Sequence, residues 1–249
     1  MTGWRTSLTD IGPNRILVRG YPLDEMMGRV SFGETIYLLL TGELPSPSIG
    51  RLVEAMLVSF IDHGATPPST LSARNAATTG SSLRSAVSAG ILAFGPHHGG
   101  DILACRARLD EALMHMHNGA TMQDAADRLT ARVLESAEIP PPGFGHRHHT
   151  KDPRASRLLQ LALELGVDGY YSQMLRAIER SLAKHPDLAS RPMPINIDGA
   201  IAAVSGDAGL PPEIADALLL ISRVPGLAAH QSDAQAEQSC VPTDCPDCG

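Results

Sequence analysis

Helical spacing of apolar residues recurs from about residue 31 to about residue 223 of this 249-residue chain, and no segment alternates convincingly as a strand would. Leu83, Val87, Ile91 and Phe94 form a stripe at i, i+4, i+8 and i+11. Leu158, Leu161, Ala162 and Leu165 repeat at i, i+3, i+4 and i+7. This second helix has defined ends: Asp152 is placed to cap it, Pro153 suits its first position and Gly166 stops it. Further helices are expected near 48–62, 100–117, 121–137, 170–184 and 211–222. Thr121 with Asp124 reads as a capping box, and Pro211-Pro212-Glu213 as a helix start. Aromatic residues make up only 4% of the chain, so the core must be mostly Leu, Ala, Val, Ile and Met. That mixture favours helices over a β-sandwich. The expected fold class is all-α.

The helical pattern breaks twice. Ile139-Pro-Pro-Pro-Gly-Phe-Gly145 cannot be helical throughout, and it delivers the chain into His146. Pro186, Pro192 and Pro194 interrupt the chain again before Asp198. Loops between rigid helices are where chemistry is commonly carried. A third segment, Gly95-Pro-His-His-Gly-Gly100, sets histidines beside glycines, where backbone can approach a ligand. Two histidines and a carboxylate, His98, His146 and Asp198, offer a proton acceptor, a proton donor and an oxyanion partner for work on a carbonyl substrate.

Each feature also has a plainer reading. The 95–100 segment makes an acceptable turn between helices with solvated histidines. His146, His148 and His149 suit a polar loop or a metal site, although the acidic partners and the His-x-x-x-His spacing of a helical metal site are missing. Arg154, in the first turn of the helix capped by Asp152, is placed to grip a carboxylate or simply to face solvent. Asn-Ile-Asp-Gly around Asp198 is also a good turn or cap.

Bulk properties exclude several classes. The net charge is −7, and no long basic run is present, which argues against a nucleic-acid surface. No apolar stretch approaches the roughly 20 residues needed to cross a bilayer, and Met-Thr-Gly-Trp-Arg does not read as a signal peptide. Four cysteines, Cys105 alone and Cys240, Cys245 and Cys248 crowded together, are too few for a disulfide framework. A cytoplasmic protein with reduced thiols is expected.

Taken in order, several stretches resemble the citrate synthase superfamily. They are Arg19-Gly-Tyr-Pro, Ser31-Phe-Gly-Glu-Thr-Ile-Tyr-Leu-Leu-Leu-Thr-Gly-Glu-Leu-Pro45, Asp62-His63 and Gly95-Pro-His-His-Gly-Gly. The series continues with Gly143-Phe-Gly-His-Arg147, Asp152-Pro-Arg-Ala, Asn196-Ile-Asp-Gly and Ser222-Arg-Val-Pro-Gly-Leu-Ala-Ala-His230. Together they cover the chain almost continuously from about 15 to 230. The nearer resemblance is to citryl-CoA lyase and the corresponding C-terminal module of ATP-citrate lyase.

That resemblance implies roles. His98 would hydrogen-bond a thioester oxygen, Asp198 would take a proton from the acetyl methyl group, and His146 would polarise the ketone of oxaloacetate. His63, Arg154 and Arg223 would bind the carboxylates. Gly143, Phe144 and Gly145 would meet coenzyme A, with Arg147 and Lys151 as weaker candidates for its phosphates. It implies a large helical subdomain of 1–99 and 204–230, a small one of 100–203, a cleft between them, and a homodimer or larger homo-oligomer. The co-substrate is a CoA thioester, with no permanently bound cofactor and no metal. Cleavage of citryl-CoA to acetyl-CoA and oxaloacetate is the favoured activity, and condensation to citrate the alternative. Residues 231–249, polar and without Lys or Arg, are expected to be a mobile tail; a zinc site of its cysteines with His230 is the competing idea.

Overall fold

The computed structural model describes residues 6–239 except 96, 137–138 and 189–191. It opens with a small antiparallel sheet in the order β1-β2-β3: β1 (Thr9–Gly12), β2 (Arg15–Val18) and β3 (Tyr21–Pro22). Helices α1 (Leu23–Met26), α2 (Phe32–Thr41), α3 (Pro47–Ser59), α4 (Pro68–Thr78) and α5 (Leu83–Leu92) follow. Then come α6 (Ile102–His117), α7 (Met122–Ser136), α8 (Pro153–Glu164), α9 (Tyr170–Lys184), α10 (Ile197–Asp207) and α11 (Pro212–Ser239). The fold is all-α apart from the N-terminal sheet, which the sequence reading lacked. Its strands are too short to alternate visibly. Arg19 and Gly20 join β2 to β3 with φ of 51° and 88°, the left-handed backbone that a two-residue hairpin requires.

Local chemistry sets the helix ends. The Ser31 hydroxyl accepts from the Glu34 N–H while the Glu34 carboxylate accepts from the Ser31 N–H, closing a capping box on α2. Thr121 and Asp124 do the same at α7. Asp152 caps α8 by accepting the Arg154 N–H, with Pro153 in the first turn and Gly166 at φ +71° beyond the last.

Two expectations about faces and ends need correction. The stripe Leu83–Val87–Ile91 is not the buried side of α5: Leu83 is 48% exposed, whereas Ala86 and Gly90 are buried. Gly90 faces Leu227 of α11 so closely that a Cβ would lie 2.8 Å from its Cδ1. Small residues set the helix spacing here, while Leu83 and Leu92 face outward and Val87 and Ile91 are half-buried. The last helix also does not stop near 222 but runs through Pro225 to Ser239. Residues 231–239, expected to begin a mobile tail, are therefore helical, with Gln231 and Ala234 buried. Cys240, Cys245 and Cys248 lie outside the described residues.

The helices gather into two groups. α4, α5 and α11 pack on one another, with α3 joining α2 to α11. α6, α7 and α9 form the second group, and α10 packs against α6, α8 and α9. α10 is the buried axis: Ile197 and every residue from Gly199 to Gly206 are enclosed. Contacts of α11 with α6 and α10, and of α3 with α8, join the groups. The main apolar core runs from α2 and α3 through the second group to the start of α11, while Ala77, Ala86 and Ala234 form a separate small cluster between α4, α5 and α11.

Candidate active site

A cavity of about 650 Å³ opens where the two groups meet. His63, His98, Gly145, His146, Arg147, Arg154, Asp198 and Arg223 all line it. Eight of the eleven expected site residues thus converge from the α3–α4 loop, the 95–100 turn, the 143–149 loop, α8, α10 and α11.

His98 follows a tight turn in which Gly95 and His98 exchange backbone hydrogen bonds of 2.7 and 2.9 Å. The Ser69 N–H donates to His98 Nε2 at 3.2 Å, and the Ser69 hydroxyl lies 2.8 Å from the same nitrogen. Nε2 is therefore an acceptor, which leaves Nδ1 carrying the proton as the ring's donor. Phe94 stacks on the imidazole at 4.9 Å and 18°. Burial, then the charge of Arg223, lowers the His98 pKa and keeps the ring neutral at pH 7.

His146 has the complementary tautomer. Its Nδ1 accepts the N–H groups of His148 (3.1 Å) and His149 (3.2 Å), so Nε2 holds the proton. Burial and the neighbouring His149 lower its pKa. The loop is fixed to the start of α10: Gly145 N donates to Pro194 O, Asn196 N to Gly143 O, and Asn196 Nδ2 to Gly145 O. Phe144 and Ile195 form an isolated β-bridge. His146 and Asp198 are thereby placed by one short piece of paired backbone.

Asp198 lies in the first turn of α10, which Asn196 caps. Its Oδ1 is buried with no hydrogen-bond partner, and the Asp101 N–H supplies the carboxylate's backbone bond. Burial first, and the charge of Asp101 second, push its pKa up to about 6. A carboxyl in this range can exchange a proton near neutrality. Gly100, at φ +85°, lies so near that a Cβ there would sit 2.7 Å from Oδ1, which accounts for the second glycine of the motif.

Arg223 is 3% exposed; its Nε donates to the Phe60 carbonyl, and its Nη1 is buried without a partner. Arg154 is half-committed to Asp152. His63 is held neutral, its pKa lowered to about 4 by burial and then by Arg223, Arg154 and His98. The pocket thus pairs neutral imidazoles with three guanidinium groups, a field suited to a polyanionic ligand.

Three expected residues stand elsewhere. Phe144 is 4% exposed and belongs to the core. Gly143 is enclosed, a Cβ there meeting Cys105 Sγ at 2.4 Å. Both hold the loop against α10 and are not open to a nucleotide. Lys151 is exposed but is not part of the cavity wall. His230, considered as a metal ligand, is instead 3.0 Å from Asp62 Oδ1. Among the described residues, no three His, Cys, Asp or Glu side chains are grouped to hold a metal, and no helix is long and apolar enough to cross a membrane. Sequence reasoning missed Ser69 and Phe94 as supports of His98, and assigned Asp152 only a cap. The serine has no local signal, since it reaches His98 across 29 residues.

Three neutral imidazoles and a buried carboxyl thus share one cavity with three arginines in a helical fold. Residues 46–241 match the family described as citrate synthase, C-terminal domain, and the chain belongs to that family. Its fold is citrate synthase-like. It is similar to citryl-CoA lyase from Hydrogenobacter thermophilus: 35% identity, 93% of this chain and 87% of that one covered, TM-score 0.81. Citrate synthase from Thermoplasma acidophilum, solved as a ternary complex with carboxymethyl coenzyme A and oxaloacetate, aligns at 25% identity over 84% of this chain and 54% of that one, with a TM-score of 0.67. Among curated proteins, citrate synthase of Deinococcus radiodurans is 31% identical over 79% of this chain and 50% of its own length. The chain thus spans about half the length of the curated relatives it matches.

Proposed function

We propose that this protein cleaves citryl-CoA into acetyl-CoA and oxaloacetate. The observation that carries the reading is the convergence of His98, His146 and Asp198 on one cavity with Arg154 and Arg223. The lyase direction is favoured by the likeness to a citryl-CoA lyase along nearly the whole of both chains. In this reading Arg223, Arg154 and His63 hold the carboxylates of the citryl group. Nδ1–H of His98 donates to the thioester oxygen as negative charge develops there. Oxyanion donors of this kind typically contribute about 10²–10³ in rate. As the carbon–carbon bond breaks, the electron pair passes into the enolate, and protonated Asp198 delivers its proton to the carbon. Cleavage runs from the other His146 tautomer: Nδ1 gives up the His148 and His149 N–H groups, a small opening of that loop, and carries the ring proton. The free Nε2 lone pair then takes the hydroxyl proton as the carbon–carbon bond breaks, and the new Nε2–H donates to the ketone oxygen.

The second reading is condensation of acetyl-CoA, or a related acyl-CoA, with oxaloacetate to citrate and CoA, which the names of the curated relatives favour. The purified protein should release oxaloacetate from citryl-CoA, detected by coupled reduction to malate. Release of free CoA thiol from acetyl-CoA and oxaloacetate, with citrate accumulating, would instead establish the synthase. Lobes of 1–99 with 204–230 and of 100–203 belong to the same proposal, as does a homo-oligomer. Leu71, Leu83 and Leu92 leave apolar surface on α4 and α5 in support of the latter.

A further inference from the structure

Asp152 makes more hydrogen bonds than a helix cap requires. Its side chain is fully buried. Oδ1 accepts the Arg154 backbone N–H at 2.9 Å and Nε–H at 3.1 Å; Oδ2 accepts Arg154 Nη2–H at 2.9 Å and the Ile197 N–H at 3.1 Å. Capping α8 accounts for the first bond alone. The second and third grip the guanidinium as a fork. The fourth crosses 45 residues to the first residue of α10, adjacent to Asp198. Burial opposes the charge on Asp152, but the hydrogen bonds and charge of Arg154 outweigh it, and the carboxyl stays below its usual range.

On the reading of the site given above, we infer that Asp152 is a positioning residue that sets Arg154 and Asp198 in one frame. With Nε and one Nη2 hydrogen taken by Asp152, Arg154 has only Nη1 and the outer Nη2 hydrogen left for a ligand. It therefore meets a substrate carboxylate end-on, from a side chain already immobilised. The bond to Ile197 fixes where α10 begins, and so where the Asp198 carboxyl stands relative to that carboxylate. An asparagine at 152 keeps one acceptor oxygen but turns an N–H₂ toward groups that are themselves donors, so the Arg154 fork is broken in either orientation, together with the Ile197 bond when the N–H₂ replaces Oδ2.

The experiment is a double-mutant cycle of Asp152→Asn and Arg154→Ala, reading oxaloacetate affinity by calorimetry and kcat with citryl-CoA. Asp152→Asn in the wild-type background should weaken oxaloacetate binding by about tenfold or more and lower kcat by a similar factor. In the Arg154→Ala background the same change should alter binding by less than about twofold, while the kcat loss transmitted through Ile197 persists. Equal losses of binding in the two backgrounds would mean general loosening and would overturn the inference. So would a variant whose binding and kcat both match wild type. Should Asp152→Asn not fold, Arg154→Lys serves instead: it keeps the charge but cannot make the fork, and wild-type affinity in it sinks the inference. A wild-type protein that binds no oxaloacetate overturns the reading of the site and the part of Asp152 with it. Binding by wild type, undiminished in the variants, overturns the part of Asp152 alone.

Discussion

Replacing Asp198 with asparagine should stabilise the fold while abolishing turnover, and the stabilisation should depend on pH in a defined way. The carboxyl's pKa rises from 3.8 to about 6 on folding, mainly because burial disfavours its charge. A carboxyl with a raised folded pKa holds its proton more tightly in the native state, so ionisation costs stability as pH rises through the interval between the two values. A shift of about 2 units corresponds to about 3 kcal/mol once both states are ionised, near pH 8. The same linkage gives a penalty of about 2 kcal/mol at pH 5 and under about 1 kcal/mol at pH 4. Asparagine carries no charge, keeps an oxygen for the Asp101 N–H, and offers an amide where Oδ1 is unpartnered. The gain in urea-unfolding free energy over wild type should therefore be about 3 kcal/mol at pH 8 and shrink to nearly nothing at pH 4, equivalent to roughly 6–12 °C in Tm at the upper end. Other titrating groups cancel in the difference between the two proteins. A variant less stable than wild type at pH 8, or a gain that does not change between pH 4 and 8, would refute the assignment of Asp198 as a destabilised, functionally retained carboxyl.

The same pKa gives opposite kinetic signatures for the two directions. In the proposed mechanism condensation uses Asp198 ionised, so its kcat/KM should fall below pH about 6, whereas cleavage uses it protonated and should weaken above that value; stopped-flow or coupled assays across pH 5–8 read this. Arg223→Met should weaken oxaloacetate binding by roughly 10–100-fold, because charge-assisted hydrogen bonds from the guanidinium to a carboxylate are lost, and calorimetry would measure it. Gly199→Ala places a Cβ 2.3 Å from the Gly143 carbonyl oxygen. It should cost about 3 kcal/mol in chemical denaturation and displace the His146 loop from Asp198. Ser69→Ala removes the hydroxyl at His98 Nε2 but leaves the backbone donor, and should lower kcat about tenfold with KM little changed.

What the sequence disclosed follows the range of its signals. α8 was legible to its ends because Asp152, Pro153 and Gly166 act on neighbours within a turn, and the Leu158–Leu161–Ala162 face is indeed buried. α4 was overlooked because its inner face is Ser69, Thr70, Ala73 and Ala77, which carries almost no hydrophobic contrast. The stripe of α5 misled for the opposite reason: large residues follow helical spacing there, while Ala86 and Gly90 do the packing. Candidate site residues were found where a motif kept histidine or aspartate beside glycine. Their supports escaped notice because Ser69, Phe60 and Ile197 act through distances of 29, 163 and 45 residues along the chain. Gly143 and Phe144 show the limit of motif transfer, since a glycine kept for close packing on Cys105 and α10 looks the same in sequence as one kept for a ligand.

Two buried atoms in the cavity, Asp198 Oδ1 and Arg223 Nη1, lack hydrogen-bond partners. An unsatisfied buried polar group costs about 1–3 kcal/mol, and more when charged. The fold retains an acceptor and a donor of this kind against the same cavity, one on α10 and one on α11. Neither helps to hold α10 or α11 together, because each has other atoms that already do so: Arg223 Nε is bonded to Phe60 O, and the Asp198 carboxylate takes the Asp101 N–H. The idle atoms belong to two residues that line the same cavity, and we propose that a ligand there satisfies both. A ligand with carboxylate oxygens for Nη1 and a transferable proton for Oδ1 would do so. Such a ligand should raise Tm in wild type by more than in Arg223→Met, and that difference separates occupancy of this cavity from binding elsewhere on the protein.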